Sequence, residues 1–326
     1  MPNSSITRPP RVLVTGAYGF VGSAYCAQLA AAGVPWLGVV REPHGEEKRP
    51  EILSLGDLAH ADWPTIFEHY RIDSIVHLAA RAHRMHDTAA DPRAEYRREN
   101  VKVTDRLLAA ARLARVRRFV FASTVKVHGE STPPGIILRE SDPLAPVDDY
   151  ARSKAYAEER VQDFGRELGI EVVTLRLPLV YGPGAKANFA ELVEAVRTRR
   201  VLPFGAARNQ RSLVGMTNLC AALDAARTHP GAAGETFFVT DGDDVSTPEL
   251  IRAIGDALEV KPRLWSLPPP LVRGIAALAG RRDAARRMFE SLAVDNARIR
   301  RALGWTPPST LAEELLRIAA ASRAAH

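Results

Sequence analysis

Three glycines in the spacing G-x-x-G-x-x-G, at Gly16, Gly19 and Gly22, constrain the fold of this chain more than any other feature. They follow directly on the β-branched run 11–15 and open an apolar helical stretch at 21–32. The first glycine permits a tight turn, the second lets backbone N–H groups approach a pyrophosphate, and the third lets helix and strand pack closely. The segment therefore predicts a strand–turn–helix unit that binds a dinucleotide. Its predicted contact residues are Gly16, Tyr18, Gly19, Phe20, Val21 and Gly22.

Strands and helices alternate along the chain after this turn. Apolar runs lie at 34–40, 74–78, 118–123 and 171–177, and helical stretches at 100–115 and 150–168 separate the last three of them. Strands that are apolar throughout are typical of a sheet buried on both faces. The pattern predicts an α/β fold, a Rossmann-type doubly wound parallel sheet with helices on both faces.

After Pro178 the predicted elements become short and are separated by glycine and proline. One later segment, 236–239 (TFFV), has the composition of a further strand of the first sheet. The predicted organisation is a dinucleotide-binding domain at 1–177 with 215–242 returning to it, and a smaller substrate-binding lobe at 178–214 and 243–326. The cleft between two such domains is the expected site.

Composition and charge narrow the class of protein. The chain has 326 residues and a net charge of +6, with its 44 basic residues spread along the sequence. This distribution argues against nucleic-acid binding and allows a pocket for an anionic small molecule. No apolar run reaches the roughly 20 residues of a membrane helix, and 1–10 is predicted to be a loose polar arm. Cys26 and Cys220 suggest neither a metal site nor a disulfide framework, so a reducing cytoplasm is expected.

The end of the second strand decides which dinucleotide binds. An acidic residue about 20 positions after the glycines hydrogen-bonds the ribose 2′-hydroxyl of NAD, whereas an arginine accepts the 2′-phosphate of NADP. Arg41 stands at this position, which favours NADP(H). NAD(H) is the alternative, because Glu42 follows directly and because Arg41 could be a solvated loop residue. Asp57 and Leu58 are candidates for contact with the adenine, although a turn aspartate is the plainer interpretation.

Tyr150 and Lys154 lie four residues apart at the start of a predicted helix and therefore share one face. That face continues through Ala157, Val161 and Phe164, so the lysine is expected to be buried, which is costly unless it has a function. A lysine ammonium beside a phenol lowers the phenol pKa from its ordinary value of about 10. Tyr150 is therefore predicted to act as a general acid or base, with Lys154 as its partner.

Several motifs together resemble one family. They are VTGAYGFVG at 14–22, IVHLAA at 75–80, Asn100, FASTVKVHGE at 121–130, YARSK at 150–154, LRLPLVYGPG at 175–184, RSLVGMTNL at 211–219 and LGWTP at 303–307. In this combination the chain resembles the extended short-chain dehydrogenases/reductases, in the branch of nucleotide-sugar epimerases, dehydratases and 4-ketoreductases. The resemblance covers nearly the whole chain.

This resemblance implies roles for individual residues. It places the hydroxyl that hydrogen-bonds the reacting oxygen at Thr124, with Ser123 as the less favoured alternative. It gives Asn100 a part in positioning Lys154, whereas a helix cap is the simpler interpretation. His128 replaces the tyrosine usual in the family, a departure that concerns local packing. The implied cofactor contacts are Leu78, Ala79, Ala80, Asn100, Tyr150, Lys154 and Pro178, and the implied diphosphate contacts are Asn188 and Arg211.

Two further positions are candidate substrate contacts. Lys126 and His128 alternate with Thr124 and would face the substrate together if the chain stays extended. Arg81 opens a loop, with the basic residues of 83–86, that follows IVHLAA where substrate-facing loops occur in the family. Arg81 and Lys126 are therefore proposed as substrate contacts, and a solvated loop is the alternative for both.

The resemblance implies an enzyme that uses NADPH to reduce the C4 ketone of a dTDP- or UDP-linked 4-keto-6-deoxyhexose, with Tyr150 protonating the oxygen. The alternative is a 4-epimerase, in which bound NAD oxidises C4 and then returns hydride to the other face. A dehydratase is disfavoured, because Val125-Lys126 stands where that branch has Asp-Glu after the catalytic threonine. A non-catalytic dinucleotide sensor would not need Thr124, Tyr150 and Lys154 together.

The resemblance also implies partners and setting. Members of the family commonly pair two helices, placed here at 101–115 and 150–168, into a four-helix bundle, so a homodimer is expected. The expected setting is cytoplasmic synthesis of a bacterial surface polysaccharide such as the O-antigen of lipopolysaccharide. Neither a nucleic acid, a membrane nor a metal is expected as a partner.

Overall fold

The computed structural model describes residues 11–42, 50–82, 89–278, 280 and 282–324. The predicted N-terminal arm, 1–10, and the basic residues predicted at 83–86 lie outside the described residues. None of the helices in the described ranges is both long enough and apolar enough to cross a membrane.

The strands in the described ranges are short, and six of them follow the apolar runs predicted at 11–15, 34–40, 74–78, 118–123, 171–177 and 236–239. They are β1 Arg11–Thr15, β2 Trp36–Val40, β3 Ile52–Ser54, β4 Ile72–His77, β5 Arg118–Thr124, β6 Ile137–Leu138, β7 Glu171–Leu177, β8 Leu179–Tyr181, β9 Val201–Leu202, β10 Leu213–Gly215, β11 Thr236–Phe238, β12 Arg263–Leu264 and β13 Ala293–Val294.

The helices that alternate with these strands are mostly two to four turns long. They are α1 Phe20–Ala31, α2 Trp63–Tyr70, α3 Pro92–Tyr96, α4 Val103–Leu113, α5 Asp149–Leu168, α6 Ala187–Arg197, α7 Met216–Thr228, α8 Thr247–Leu258, α9 Pro269–Leu278, α10 Arg282–Phe289, α11 Ala297–Leu303 and α12 Leu311–Ala324. Short turns of other helix types lie at Arg97–Lys102, Val125–His128 and Pro230–Ala232.

Seven strands form one sheet in the order β11-β7-β5-β4-β1-β2-β3. The pairs of β1 with β2 and β4, of β2 with β3, and of β4 with β5 are parallel. Strand β11 is the segment predicted to return to the first sheet, and it lies at the edge beside β7. The predicted α/β fold with a parallel Rossmann-type sheet is confirmed.

Both faces of this sheet are buried, because neighbouring residues of a strand point to opposite faces and both Ile75 and Val76 on β4 are fully buried. Phe119 and Phe121 on β5 are fully buried, as are Trp63 and Phe67 on α2. Helix α4 packs against both α2 and α5. Burial on both faces explains why the strands read as continuous apolar runs rather than as alternating patterns.

The chain divides into two compact units. One contains the described residues up to Val127 together with 146–176 and 223–237. The other contains 128–145, 177–222 and the described residues from Phe238 onward. Residues 128–145 belong to the second unit, although the sequence boundaries put them in the first domain. The reason is β6, which pairs with β13 in the C-terminal part of the chain.

The second unit has its own core and its own helix signals. Strands β8 and β10 pair in parallel, and the buried Tyr181, Phe189 and Ile251 belong to one apolar cluster. The predicted capping box before α12 is present, because Thr310 Oγ1 accepts from the N–H of Glu313 while the Glu313 carboxylate accepts from the N–H of Thr310.

The helix predicted from residue 100 begins instead as a π-helical turn at Arg97–Lys102 and becomes α-helical only in α4. The hydroxyl of Thr104 donates to the carbonyl of Asn100 at 2.7 Å. The Asn100 carbonyl therefore accepts a side-chain hydrogen bond at the junction of the π-helical turn and α4. Such π-turns are rare and are frequent at functional sites.

Candidate active site

The glycine turn forms a backbone cradle at the start of α1. Gly16 has a left-handed φ of 72°, and a Cβ on Gly22 would overlap the carbonyl oxygen of Gly16. Gly19 is the exposed N-cap residue of α1, and no side chain in the described part of the chain caps the helix there. The N–H groups of the first helical turn therefore remain available to an anion. This cradle fits a dinucleotide pyrophosphate.

The end of β4 lies directly against this cradle. A Cβ on Gly16 would stand 3.0 Å from both the N and Cα atoms of Ala79. The N–H of Ala79 donates to Thr15 Oγ1 at 3.1 Å, which ties the ends of β1 and β4 together. Two other predicted cofactor contacts lie here: Leu78 is half-buried and Ala80 is exposed. Pro178 is buried and belongs to the second unit.

Charged side chains surround the predicted adenosine end of the site. Asp57 accepts from the N–H of Ala59 and forms an ion pair with Arg98 at 2.5 Å. The pKa of Asp57 is lowered, first by the hydrogen bond from Ala59 and then by Arg98. Arg41 pairs with Glu99, with 2.8 Å between its Nη1 and Oε2. Leu58 beside Asp57 is buried.

The predicted catalytic residues come together from β5 and α5. Thr124 ends β5, is buried, and hydrogen-bonds the hydroxyl of Tyr150 on α5. Lys154 is buried one turn further along α5, with its Nζ 4.1 Å from the ring centre of Phe121. Ser123 Oγ is buried and has no hydrogen-bond partner among the described residues. Thr124 is therefore the hydroxyl placed to share an oxygen ligand with Tyr150.

Burial dominates the electrostatics of this pair. It raises the pKa of Tyr150 to about 12, although the hydrogen bond from Thr124 acts in the opposite direction. Asp148 and Tyr96 raise the Tyr150 pKa further. Burial also lowers the pKa of Lys154 to about 7, with Glu158 opposing. The expected lowering of the Tyr150 pKa is wrong for this protein, because burial of the phenol is the largest influence on that pKa and raises it.

Asn100 connects the π-helical turn to α5. Its Nδ2 donates to Ser153 Oγ at 2.9 Å, and Ser153 Oγ donates to the carbonyl of Tyr150 at 2.7 Å. Its Oδ1 accepts from the N–H of Arg81 at 2.7 Å. Asn100 is buried in this position and is not an N-cap, because the residues around it are already helical. It positions the first turn of α5, which carries Tyr150.

A second buried chain of hydrogen bonds runs through His77 at the end of β4. His77 Nδ1 is 2.7 Å from Thr15 Oγ1, and its Nε2 is 2.9 Å from Thr104 Oγ1. Burial, and after it the charge of Lys154, lowers the pKa of His77 from 6.5 to about 3. A neutral histidine therefore joins the glycine turn to the π-helical turn.

This neutral histidine predicts a loss of stability in acid. Between pH 3 and 6.5 the unfolded chain binds a proton at His77 and the folded chain does not. The contribution of neutral His77 to the free energy of unfolding is therefore complete above pH 6.5 and is lost as the pH falls toward 3. The loss at the acid end is expected to be about 4 kcal/mol. Urea unfolding of His77→Gln from pH 7 to pH 4 is expected to show a shallower decline than the parent. The same replacement at the exposed His69 should follow the parent, and parallel curves for all three proteins would contradict this role of His77.

The two proposed substrate contacts of this unit are both ion-paired. Lys126 Nζ pairs with Asp148 Oδ2 at 3.1 Å, and the same carboxylate caps α5 by accepting from Ala151 N–H. The chain does not stay extended after Thr124, because Val125–His128 forms a 3₁₀ turn. The premise that Lys126 and His128 alternate with Thr124 on one face is therefore wrong.

His128 and Arg81 are held by packing contacts as well as by polar ones. His128 is buried against Phe238, with ring centres 5.3 Å apart, and its Nδ1 lies 3.2 Å from the carbonyl oxygen of Pro143. Arg81 pairs with Glu99 and stacks over Tyr96. Neither residue is a solvated loop side chain.

The predicted diphosphate contacts belong to the second unit. Arg211 forms bridges with the backbone of Val245 and Leu292, and its Nη1 donates to the carbonyls of Arg287 and Glu290 at 3.1 and 3.2 Å. Burial, and after it the charge of Arg287, lowers the pKa of Arg211. Asn188 is exposed near the start of α6.

Several residues of the site were missed from the sequence. Ser153 and Asp148 had local signals, since one precedes Lys154 and the other stands at the N-cap position of α5. Glu99 precedes Asn100 but is 58 residues from Arg41, so no local pattern joins them. His77 was visible only as part of the IVHLAA motif.

Comparison with known proteins places these features in a wider group. Residues 12–239 match the model of the NAD dependent epimerase/dehydratase family. The UDP-glucose 4-epimerase of Vibrio cholerae is 38% identical over 310 residues, which cover 94% of this chain and 93% of that protein. The dTDP-6-deoxy-L-talose 4-dehydrogenase (NAD(P)(+)) of Kitasatospora kifunensis is 28% identical, with 94% of each chain covered.

Among solved structures, the UDP-glucose 4-epimerase of Thermus thermophilus in complex with NAD is similar in fold. Its TM-score is 0.76 at 24% identity, and the match covers 97% of this chain and 100% of that one.

Proposed function

The chain belongs to the NAD-dependent epimerase/dehydratase family, as its sequence motifs predicted, and on that premise we propose that it reduces the C4 ketone of a dTDP- or UDP-linked 4-keto-6-deoxyhexose with NADPH. One observation supports proton donation to a ketone oxygen at this site. Tyr150 is hydrogen-bonded by Thr124, and its pKa of about 12 keeps the phenol protonated at neutral pH. A protonated phenol is ready to donate to a ketone oxygen as that oxygen gains negative charge.

Each residue then has a defined task. Thr124 and Tyr150 hold the ketone oxygen, and Tyr150 gives it a proton. Lys154, buried beside Phe121, is the proton reservoir behind the tyrosine, because its pKa of about 7 lets it bind and release a proton near neutral pH. The glycine turn at Gly16, Gly19 and Gly22 would hold the pyrophosphate of NADPH, which would supply the hydride for the carbonyl carbon. Arg211 and Asn188 are proposed to bind the diphosphate, and Arg81 and Lys126 are proposed substrate contacts.

Dehydration fits the chain less well. The two positions after Thr124 are Val125, which is buried in the core, and Lys126, which is paired with Asp148. Removal of water from a sugar needs an acid and a base beside the reacting carbons. A buried valine and a paired lysine supply neither.

A 4-epimerase is the second candidate, and the likeness to the Vibrio cholerae UDP-glucose 4-epimerase favours it. The same three residues would serve, with Tyr150 first removing the proton that it later returns. An epimerase regenerates its cofactor in every cycle, whereas a reductase must release NADP⁺ and bind fresh NADPH.

The oligomer and the setting are proposals of the same kind. We propose a homodimer through α4 and α5, where the large apolar side chains of Leu113 and Tyr156 are exposed. A role in O-antigen or another surface polysaccharide follows from the proposed substrate.

The reductase and the 4-epimerase differ in whether they consume NADPH. With a dTDP- or UDP-linked 4-keto-6-deoxyhexose, we expect one NADPH to be oxidised for each ketone reduced. UDP-glucose and UDP-galactose, and their N-acetyl forms, should remain unchanged under the same conditions. If the purified protein equilibrates such a pair without added cofactor, the reductase proposal fails and the epimerase replaces it.

A further inference from the structure

Glu99 lies among three arginines at the predicted adenosine end of the site. It pairs closely with Arg41 and Arg81, and its Oε1 also lies 3.7 Å from Arg98 Nη2. Its Oε2 is 2.8 Å from Arg41 Nη1, and its Oε1 is 3.1 Å from Arg81 Nη1. The side chains of Glu99 and Arg81 are only 13% and 9% exposed, whereas that of Arg41 is 59% exposed. The carboxylate is therefore held from the buried side and reaches Arg41 at the surface.

Arg41 follows β2 at the position that meets the adenosine ribose in this type of fold. A 2′-phosphate bound there would need the guanidinium that Glu99 already holds. It would also approach the negative charge of Glu99, and like charges at close range repel each other. An unphosphorylated ribose would meet neither cost.

We propose that Glu99 determines cofactor selectivity by holding Arg41 and thereby reducing the preference for NADPH that Arg41 alone would confer. This inference rests on the proposed function for the location of the cofactor. It makes Glu99, which no sequence pattern connects with the second strand, a selectivity residue that acts through Arg41.

The neighbouring acidic residues do not share this role. Glu95 and Asp57 both pair with Arg98, at 2.8 and 2.5 Å. Glu99 also pairs with Arg81, whose backbone N–H and carbonyl are bound by Asn100. Glu99 is thus anchored to the fixed part of the site, and the exposed Arg41 is the partner free to reorient toward a phosphate.

The test is ligand binding to the purified full-length protein, measured by titration calorimetry without any sugar substrate. The probes are adenosine 2′,5′-bisphosphate and 5′-AMP, which differ only in the 2′-phosphate. Glu99→Gln is expected to bind the bisphosphate about tenfold more tightly than the parent, the size of one screened charge interaction, with 5′-AMP changed by less than about twofold. Glu95→Gln, which removes the same charge one helical turn away, should leave both affinities near those of the parent.

The Arg41→Ala background tests whether the effect of Glu99→Gln depends on the contact between Glu99 and Arg41. In Arg41→Ala protein, the added Glu99→Gln substitution should change bisphosphate affinity by less than about twofold, because its partner is gone. Glu99→Asp, which shortens the reach to Arg41 and keeps the charge, should strengthen bisphosphate binding less than Glu99→Gln does, and it serves as the test variant if Glu99→Gln does not fold. Equal gains in the presence and absence of Arg41, or no gain in either variant, would overturn the inference. Failure of the parent protein to bind either probe would instead count against the proposed cofactor site.

Discussion

Replacing Tyr150 by Phe is expected to lower turnover by at least about 10²-fold while leaving the fold intact. The substitution keeps the ring, which packs beside Tyr96 with centres 6.2 Å apart, and removes only the hydroxyl that Thr124 hydrogen-bonds. Without that hydroxyl the reacting oxygen loses its proton donor. Steady-state turnover with the keto-sugar nucleotide gives the rate, and circular dichroism with thermal unfolding shows whether the fold is retained.

Tyr156 provides the matched control for this experiment. It lies on the same helix, α5, and is 46% exposed. Tyr156→Phe removes the same atom from the same helix and keeps the apolar ring at the proposed dimer face, so its turnover should stay within about twofold of the parent. Near-parental turnover by Tyr150→Phe would remove Tyr150 from the mechanism.

Replacing Gly22 by Ala is expected to abolish cofactor binding at working concentrations and to destabilise the fold by about 1–3 kcal/mol. The new methyl group would overlap the carbonyl oxygen of Gly16 and come within 2.8 Å of its carbonyl carbon. Both atoms are backbone, so the turn itself must move and the N–H groups of α1 are displaced from the pyrophosphate. Calorimetric titration with NADP⁺ and NAD⁺, together with urea unfolding, measures both effects.

Gly274 in α9 is the corresponding control. A Cβ added there meets no atom within 4 Å, and the residue sits within a regular helix. Gly274→Ala should therefore leave cofactor affinity unchanged and raise stability by up to about 1 kcal/mol, since alanine is the better helix former. Normal cofactor binding by Gly22→Ala would mean that the glycine turn is only a packing device.

The parts of the fold that the sequence predicted are those specified by short-range patterns. The glycine turn is a local backbone requirement, and the placement of Tyr150 and Lys154 on one face follows from the helical repeat alone. The parallel character of the sheet also follows from the alternation of strands and helices and from the handedness of parallel connections. The glycine turn, the Tyr150–Lys154 spacing and each step of the strand–helix alternation depend on residues that are close together in the sequence.

The remainder depends on burial and on partners distant in the sequence. The Tyr150 pKa was predicted in the wrong direction because a spacing of four residues says nothing about how much water reaches the phenol. The Arg41–Glu99 pair joins the end of β2 to the π-helical turn, and the hydroxyl of Thr104 donates to the Asn100 carbonyl of that turn. Only the folded chain makes these neighbours visible.

The interleaving of the two units has a consequence for how the chain is made. Strand β7 leaves the ribosome before β11, yet β11 is the strand that covers its outer edge in the finished sheet. Roughly 60 residues separate them, which at about 5–20 residues per second is several seconds of synthesis. Throughout that interval the outer edge of β7 is uncovered in the nascent sheet. Its unpaired N–H and C=O groups can form hydrogen bonds with other chains. A chain released before residue 236 would lack β11, and the edge of β7 would stay unpaired.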